Sequence, residues 1–286
     1  MPQATWTPDF ERLSEAFDFA IAEDIGDGDH SALSCLDPQQ REKAQLIIKE
    51  SGVLAGVALA EFLFKRIDPS AEVDVLIEDG TPVQPGDIAL KIEANAIKLL
   101  QAERLVLNYM QRLSGVATKT AQFAKMVAHT NCTVLDTRKT TPGLRVLEKW
   151  AVALGGGGNH RMGLYDMIML KDNHIDFAGG IPSAVADTRA YLAKHGKSLR
   201  IEVETRDMKE VQQALDAQVD RIMLDNFTTE QTKEAVKLIA GKAEVESSGG
   251  ITEKTLVSYA QCGVDYISIG ALTHHIKSLD MSLKAI

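Results

Sequence analysis

Two carboxylates in the second half of the chain each close a short apolar segment, Glu204 after IEV and Asp225 after IML. Lysines follow two similar segments, Lys139 within TRK and Lys171 after MIML. Paired carboxylates beside cations can bind a hard cation such as Mg²⁺ together with substrate phosphates. The alternative is a salt bridge from Glu204 or Asp225 to one of these lysines, and both arrangements can hold when no ligand is bound.

Two glycine turns follow the last two apolar segments, SSGGIT at 247–252 and SIGAL at 268–272. Glycine lacks a Cβ, so a turn built from it lets backbone N–H groups approach a ligand closely. Loops at this place in a (β/α) barrel commonly bind phosphate through backbone N–H groups and a helix N-terminus. The residues predicted to form this phosphate site are Ser248, Gly249, Gly250, Ile269, Gly270 and Ala271.

A run of four glycines at 155–158 leads through Asn159 into His160 and Arg161. It is not a P-loop, because neither Lys-Ser nor Lys-Thr follows it. We expect the glycines to let the chain pass close to a ligand pocket and deliver His160 and Arg161 to it. A lone histidine is more often structural, but its place beside Arg161 favours ligand contact.

Guanidinium groups hold carboxylates through paired hydrogen bonds. Arg138 and Arg161 can each do so, and Arg104 is a third candidate. Together with His160 and the two lysines, they predict a pocket for a multiply anionic, planar or compact molecule. Taken singly, each cation is better explained as an ordinary surface charge.

Six short apolar segments alternate with amphipathic ones from about residue 130 onward, and several of the latter end in glycine, as a helix C-cap would. This alternation predicts a parallel sheet with helices outside it, in an open (β/α) barrel. The carboxyl ends of barrel strands meet at one mouth, which gathers the residues described above. The predicted strands are 132–136, 165–170, 199–204, 220–225, 243–248 and 265–270.

The first part of the chain reads as a mixed α/β arrangement. A helix is predicted over 9–22 and an apolar helix over 55–67, among strand-like runs at 44–49, 73–78 and 88–93. The long stretch 96–128 is predicted to form two helices broken near Ser114 and Gly115.

The 286-residue chain has a formal net charge of -9, which argues against a nucleic-acid partner bound through a broad basic surface. Its cations concentrate in the middle of the chain, which favours a small anionic ligand. No apolar run is long enough to predict a membrane span. The N-terminus lacks the pattern of a secretory signal, and three scattered cysteines fit a reducing compartment, so we expect a cytoplasmic protein.

Several strings resemble those of one family, the decarboxylating quinolinate phosphoribosyltransferases of NAD biosynthesis. The resemblance covers nearly the whole chain, and the string at 149–174 is highly specific. One departure is His30, where many relatives are expected to carry threonine, in a segment without assigned chemistry. The similar strings are AEDIGDGDHS, ERLVLNYMQRLSGVAT, TRKTTPGLR, KWAVALGGGGNHRMGLYDMIMLKDNH, EVE, MLDN, SSGGI and GVDYISIGALTHH.

The resemblance implies an N-terminal α/β sandwich domain at 1–114, to which residues 273–286 return, and an open (β/α) barrel of six or seven strands at 115–272. It also implies a homodimer in which Arg104 enters the partner's active site. The implied substrates are quinolinate and 5-phosphoribosyl-1-pyrophosphate, with Mg²⁺ as the cofactor.

The resemblance implies a role for each candidate residue. Glu204 and Asp225 would face the ribose hydroxyls and Mg²⁺, and Lys139 and Lys171 would neutralise the departing pyrophosphate. The residues implied to bind quinolinate are Arg104, Thr137, Arg138, Lys139, His160, Arg161 and Lys171.

Two alternatives remain open from the sequence. One is an enzyme on the same scaffold that uses nicotinate or another anionic heterocycle, although the doubled set of cations favours a dicarboxylate. The other is a barrel that binds a sugar phosphate for regulation without catalysing a reaction.

Overall fold

The computed structural model describes residues 6–286. The chain divides into two compact units. The first comprises Met1–Ala121, Thr140–Gly156 and Leu272–Ile286, and the second comprises Gln122–Lys139 and Gly157–Ala271. Within the described range, each helix falls short of the length or the apolar character that crossing a membrane requires.

The described residues form twelve strands and eleven α-helices, with a 3-10 turn at Phe10–Leu13. The strands are β1 Arg41–Ile48, β2 Gly52–Val53, β3 Glu72–Val75, β4 Pro82–Val83, β5 Ile88–Asn95, β6 Thr133–Leu135, β7 Ile168–Leu170, β8 Ile201–Thr205, β9 Arg221–Asp225, β10 Glu244–Ser248, β11 Tyr266–Ser268 and β12 Met281–Ala285. The helices are α1 Ser14–Ile25, α2 His30–Cys35, α3 Val57–Ile67, α4 Ala96–Val127, α5 Arg145–Leu154, α6 Asp172–Phe177, α7 Ile181–Lys194, α8 Met208–Asp216, α9 Thr229–Ile239, α10 Leu256–Ala260 and α11 Ala271–His274.

The first unit contains an antiparallel sheet with strand order β12-β1-β5-β3. Ala44, Leu46 and Ile48 are buried at alternate positions of β1, as expected for a strand with one face against a core. The C-terminal strand β12 pairs with β1, so the tail of the chain lies in this unit. Asp79, from the turn-rich segment after β3, accepts hydrogen bonds from the first N–H groups of α3.

The expected break near Ser114 and Gly115 is wrong, because α4 is one continuous helix through both residues. The Ser114 hydroxyl accepts a hydrogen bond from Ala55 N and donates one to Ala55 O. A Cβ at Gly115 would lie only 2.4 Å from the Lys277 carbonyl oxygen. The small residues therefore allow close packing against this helix.

The second unit contains a six-stranded parallel sheet with order β6-β11-β10-β9-β8-β7, which confirms the predicted strands and the barrel class. The strands β6 and β7 end the order, so the barrel is open between them. The first four residues of β9 are buried, as expected for a parallel strand covered on both faces. Gly196, Gly241 and Gly263 follow α7, α9 and α10 with positive φ, as the pattern predicted.

Candidate active site

The carboxylates Glu204 and Asp225 lie near the carboxyl ends of the neighbouring strands β8 and β9. Burial raises the pKa of Glu204 above its usual range, Lys171 opposes this effect, and the negative charge of Asp225 adds to it. Lys171 Nζ lies 3.6 Å from Glu204 Oε2, so the predicted salt bridge is present. A divalent cation beside both carboxylates would remove their mutual repulsion, which suits these residues to the predicted Mg²⁺.

Lys171 directly follows β7 and precedes α6. Its backbone N–H donates to His174 Nδ1 at 3.0 Å, while its side chain is half exposed at the strand end. His174 thus fixes the backbone that presents the lysine. The available signal was that His174 lies three residues after Lys171 at the start of a helix, but no role was predicted for His174 from the sequence.

Arg161 is half-buried, and its guanidinium group donates to the Met167 carbonyl oxygen at 3.2 Å. Burial lowers the pKa of Arg161, and the positive charge of Arg138 lowers it further. Arg138 follows β6 and is exposed, and its positive charge disfavours the charged form of Arg161. An anionic ligand with two carboxylates would offset that effect.

The glycine run passes close to β6. Gly158 donates to Val134 O at 2.8 Å and its carbonyl accepts from Asp136 N at 3.2 Å, so the segment pairs with the free edge of β6. A Cβ at Gly158 would lie 2.7 Å from a Leu135 methyl group. The glycine therefore permits a close approach to the strand. This close approach brings the residues that follow the glycine run, His160 and Arg161, to the barrel.

The His160 side chain is only 5% exposed, so it is more deeply buried than a residue whose sole role is to contact a substrate needs to be. Its Nε2 lies 3.1 Å from Glu202 Oε2 and 3.3 Å from Glu246 Oε2. Its Nδ1 accepts the Arg161 backbone N–H at 2.7 Å. Both ring nitrogens therefore face protein groups, and contact between this ring and a substrate stays a prediction.

Three buried residues near His160 were not singled out from the sequence. Glu202 and Glu246 are fully buried, and Arg221 NH1 donates to Glu246 Oε2 at 3.0 Å. Burial raises the pKa of Glu202, and the charge of Glu246 raises it further. One donor atom from each of His160, Glu202 and Glu246 lies within 4.8 Å of the others, so this trio could also hold a metal ion. The available signal was the presence of a charged residue within each of these predicted strands.

The glycine turn after β10 is shaped by a neighbouring asparagine. Gly249 has φ of +89°, and a Cβ there would lie 2.2 Å from Asn226 Oδ1. Asn226 N donates to Ser248 O at 2.9 Å, and Ser248 Oγ accepts from Ser268 Oγ at 3.1 Å. The next helix, α10, begins only at Leu256, so the turn itself, and not a helix start, supplies N–H groups at this position.

The remaining candidates occupy several environments. Thr137 Oγ1 accepts the Lys139 backbone N–H at 3.0 Å, and the Lys139 side chain is exposed. Ile269 is buried, whereas Gly270 and Ala271 are partly accessible at the start of α11. Arg104 is exposed on α4 and belongs to the first unit.

An open parallel barrel with acidic, cationic and glycine-turn positions after its strands defines a class of enzyme that binds phosphorylated small molecules at the strand ends. Comparison with known proteins identifies the family to which the chain belongs within this class. The family described as quinolinate phosphoribosyl transferase matches by its N-terminal domain at residues 29–114 and by its C-terminal domain at residues 116–284. The chain therefore belongs to the quinolinate phosphoribosyltransferase family.

Individual relatives agree with this assignment. A protein of Nicotiana tabacum named quinolinate phosphoribosyltransferase (decarboxylating) 2b, mitochondrial, is 44% identical over 288 residues, covering 95% of this chain and 82% of the relative. A probable nicotinate-nucleotide pyrophosphorylase of Synechocystis is 44% identical over 269 residues, covering 93% and 90%. The crystal structure of NadC from Streptococcus pyogenes is similar with a TM-score of 0.93 at 38% identity, covering 99% and 100%.

Proposed function

We propose that this protein transfers the phosphoribosyl group of 5-phosphoribosyl-1-pyrophosphate to quinolinate with loss of CO₂. The products are nicotinate mononucleotide and pyrophosphate, in NAD biosynthesis. The observation that carries the proposal is the match of both domains to the quinolinate phosphoribosyl transferase family. The positive charge of Arg138, which lowers the pKa of Arg161 beyond the effect of burial, supports an anion site between these residues. Quinolinate bears two adjacent carboxylates, and two guanidinium groups match them. Thr137, Lys139, His160 and Lys171 complete the binding set in this subunit.

The second substrate occupies the other part of the strand ends. Glu204 and Asp225 would hold Mg²⁺ and face the ribose hydroxyl groups, and the 247–252 and 268–272 turns would take the 5-phosphate. When bound, Mg²⁺ would supply positive charge to the departing pyrophosphate. Lys139 and Lys171 provide further fixed positive charge there. Such preorganised charge stabilises a transition state in which negative charge develops on a leaving group.

Transfer passes through an oxocarbenium-like state at the ribose, as in glycoside chemistry. The ring nitrogen of quinolinate is the nucleophile and becomes cationic once it carries ribose. This cation stabilises the carbanion left when the 2-carboxylate departs as CO₂, and a proton from water then adds to that carbon to give nicotinate mononucleotide. The protein's contribution is position and charge, without a covalent protein intermediate. Mass spectrometry of the enzyme quenched during turnover should show no ribosyl adduct, and detection of one would contradict this mechanism.

The experiment that tests the function is direct. The purified protein is incubated with quinolinate, 5-phosphoribosyl-1-pyrophosphate and Mg²⁺, and CO₂ and nicotinate mononucleotide are measured. We expect both products in equal amounts, with nicotinate in place of quinolinate as the control that releases no CO₂. Turnover of nicotinate without turnover of quinolinate would reject the proposal, and so would binding without turnover of either acceptor.

We further propose a homodimer in which the partner's Arg104 reaches the quinolinate site. The support is its exposure on α4 and the family to which the chain belongs. Inactive Arg104→Ala and Lys171→Ala proteins, mixed and reassembled, should then regain activity, because half of the dimers carry one intact site of two. The expected activity is about a quarter of wild type. Activity that stays at the level of the separate variants would place Arg104 and Lys171 in the same subunit's site.

The Gly249 turn gives a further prediction. Gly249→Ala should raise the KM for 5-phosphoribosyl-1-pyrophosphate about tenfold and lower the free energy of unfolding by about 1–3 kcal/mol, because the new Cβ collides with Asn226. Gly241→Ala is the control, since that residue also has positive φ but a Cβ there meets nothing within 4 Å. It should lose stability through backbone strain alone and keep the wild-type KM. An unchanged KM in Gly249→Ala would remove this turn from the phosphate site.

We also propose a cytoplasmic location. Cys35, Cys132 and Cys262 are all free, which is typical of a reducing compartment. Fractionation of the source cells, followed by detection of the protein with an antibody, tests this proposal, and recovery in an organelle fraction would contradict it.

A further inference from the structure

A cluster of buried charged residues lies within the barrel unit, and we call it the core cluster. Its members are His160, Glu202, Arg221 and Glu246, each with less than a tenth of its side chain exposed. Burying so many charged groups costs free energy that their pairing often does no more than offset. Stability alone therefore does not account for the core cluster, and its residues are candidates for a role in the reaction.

The strand register places Glu202, Arg221 and Glu246 on the same face of the sheet as the catalytic carboxylates. Glu202 and Glu204 are two positions apart on β8, so they lie on the same face of the sheet at successive levels. Glu202 pairs in register with Arg221 on β9, whereas Met223 pairs with both Glu204 and Glu246. One face of this sheet thus carries the strand residues of the core cluster together with the proposed metal-binding carboxylates, and Glu246 is level with Glu204.

A continuous line of contacts starts outside the core cluster, near the amino ends of the strands, and passes through two of its members to His160. Arg221 Nε donates to Glu244 Oε2 at 3.0 Å, and Arg200 NH2 donates to the same oxygen at 2.6 Å. Arg221 NH1 then donates to Glu246 Oε2 at 3.0 Å, and that oxygen lies 3.3 Å from His160 Nε2.

His160 connects this line to Arg161. Its backbone N–H donates to the buried Asp136 carboxylate at 2.9 Å, and its Nδ1 accepts the Arg161 N–H at 2.7 Å. Because Nδ1 is an acceptor here, the ring proton lies on Nε2, which faces Glu202 and Glu246. The orientation of the ring thus fixes the peptide from which the Arg161 side chain extends, while Met167 O holds its guanidinium group.

The charges within the core cluster argue against a metal ion. Nε2 lies 3.1 and 3.3 Å from the two carboxylate oxygens, which are the distances of side-chain ion pairs. Arg221 already places a positive charge on Glu246. A divalent cation at the same oxygen would be repelled by that guanidinium group.

We propose that Glu246 and Glu202 are positioning residues for quinolinate: they hold the His160 ring and, through it, set the place of Arg161. Neither carboxylate touches the substrate. The inference rests on the proposed function, because it names quinolinate as the ligand that Arg161 receives. It extends that function by assigning part of acceptor binding to buried residues that act through His160.

The test is Glu246→Gln, with Glu244→Gln as the matched control. Both glutamates lie on β10 and both accept from Arg221, but only Glu246 approaches His160. Glu246→Gln should raise the KM for quinolinate about 10- to 100-fold, since a displacement of about 1 Å at a binding group can have such an effect. The KM for 5-phosphoribosyl-1-pyrophosphate should stay within about twofold of wild type, and Glu244→Gln should keep both constants.

Equal rises in both KM values would indicate general damage to the barrel and overturn the proposal, and an unchanged quinolinate KM would also overturn it. If Glu246→Gln does not fold, Glu202→Gln takes its place with the same expected result. Stoichiometric transition metal in the purified wild-type protein, lost in Glu246→Gln, would replace the positioning role with a metal site.

A crystal structure separates failure of this proposal from failure of the proposed function. If the wild-type protein forms no nicotinate mononucleotide, the function is wrong, and the structure of Glu246→Gln still tests the positioning. The proposal expects the His160 ring and the Arg161 guanidinium group to move in that variant. Unchanged positions for both groups would overturn it.

Discussion

Arg161→Ala is expected to lower kcat/KM for quinolinate about a thousandfold, the loss expected when one member of a buried charge pair is removed, at about 2–5 kcal/mol. Arg161 is half-buried, the positive charge of Arg138 lowers its pKa, and Met167 O holds its guanidinium group toward one direction. Alanine removes both the charge and the forked donor. The dicarboxylate then loses one of its two proposed guanidinium partners.

The measurement is steady-state kinetics with each substrate varied in turn. The KM for 5-phosphoribosyl-1-pyrophosphate should change by less than about threefold, because the phosphate turns and the carboxylate pair are unaltered. Arg206→Ala is the control, since Arg206 is a half-exposed arginine of the same unit that pairs with Asp176 and Glu210. A quinolinate kcat/KM within tenfold of wild type in Arg161→Ala would remove this arginine from the acceptor site.

Asp225→Asn is expected to lower kcat about a hundredfold and to raise the Mg²⁺ concentration that gives half-maximal rate. Preorganised charge at a reacting centre typically contributes on the order of 10² to 10³ in kcat. Asn keeps the shape of the side chain but removes one negative charge from the proposed metal site. The same change removes a charge that raises the pKa of Glu204, so that pKa should fall toward its ordinary value.

Titration of Glu204 by isotope-edited infrared spectroscopy checks the second effect without substrate. The control is Asp216→Asn, which changes an exposed carboxylate at the end of α8 that bonds only to Gln212 among the described contacts. It should leave the rate, the Mg²⁺ dependence and the Glu204 pKa unchanged. An Asp225→Asn enzyme with wild-type Mg²⁺ dependence would assign the metal to other groups.

The repeating strand–helix pattern was enough to predict the barrel, because short runs rich in apolar residues alternate with amphipathic segments, several of which end in glycine. Once the strands were assigned, parallel topology required Glu204, Asp225 and Lys171 to share one edge. The resemblance of whole strings supplied the family. The barrel, the shared strand edge and the family all follow from local patterns that can be recognised in a single sequence.

The continuity of α4 could not be read from the sequence, because glycine inside a helix serves equally as a break or as a point of close approach. Gly115 proved to be the second, and only the Lys277 carbonyl next to it shows why. The groups that the His160 ring contacts also could not be predicted from the sequence. A histidine beside an arginine suggested a ligand, whereas the tertiary structure turns the ring toward Glu202 and Glu246.

The sequence by itself therefore determined the order of elements, the edge where the chemistry lies and the residue types available there. The tertiary structure decided which charges face each other and which are withdrawn from water. Glu202 and Glu204 differ by two positions and share one face of β8, yet the first is fully buried and the second lies at the strand end. Depth within a barrel depends on strand register and on neighbouring strands distant in sequence, which no local pattern encodes.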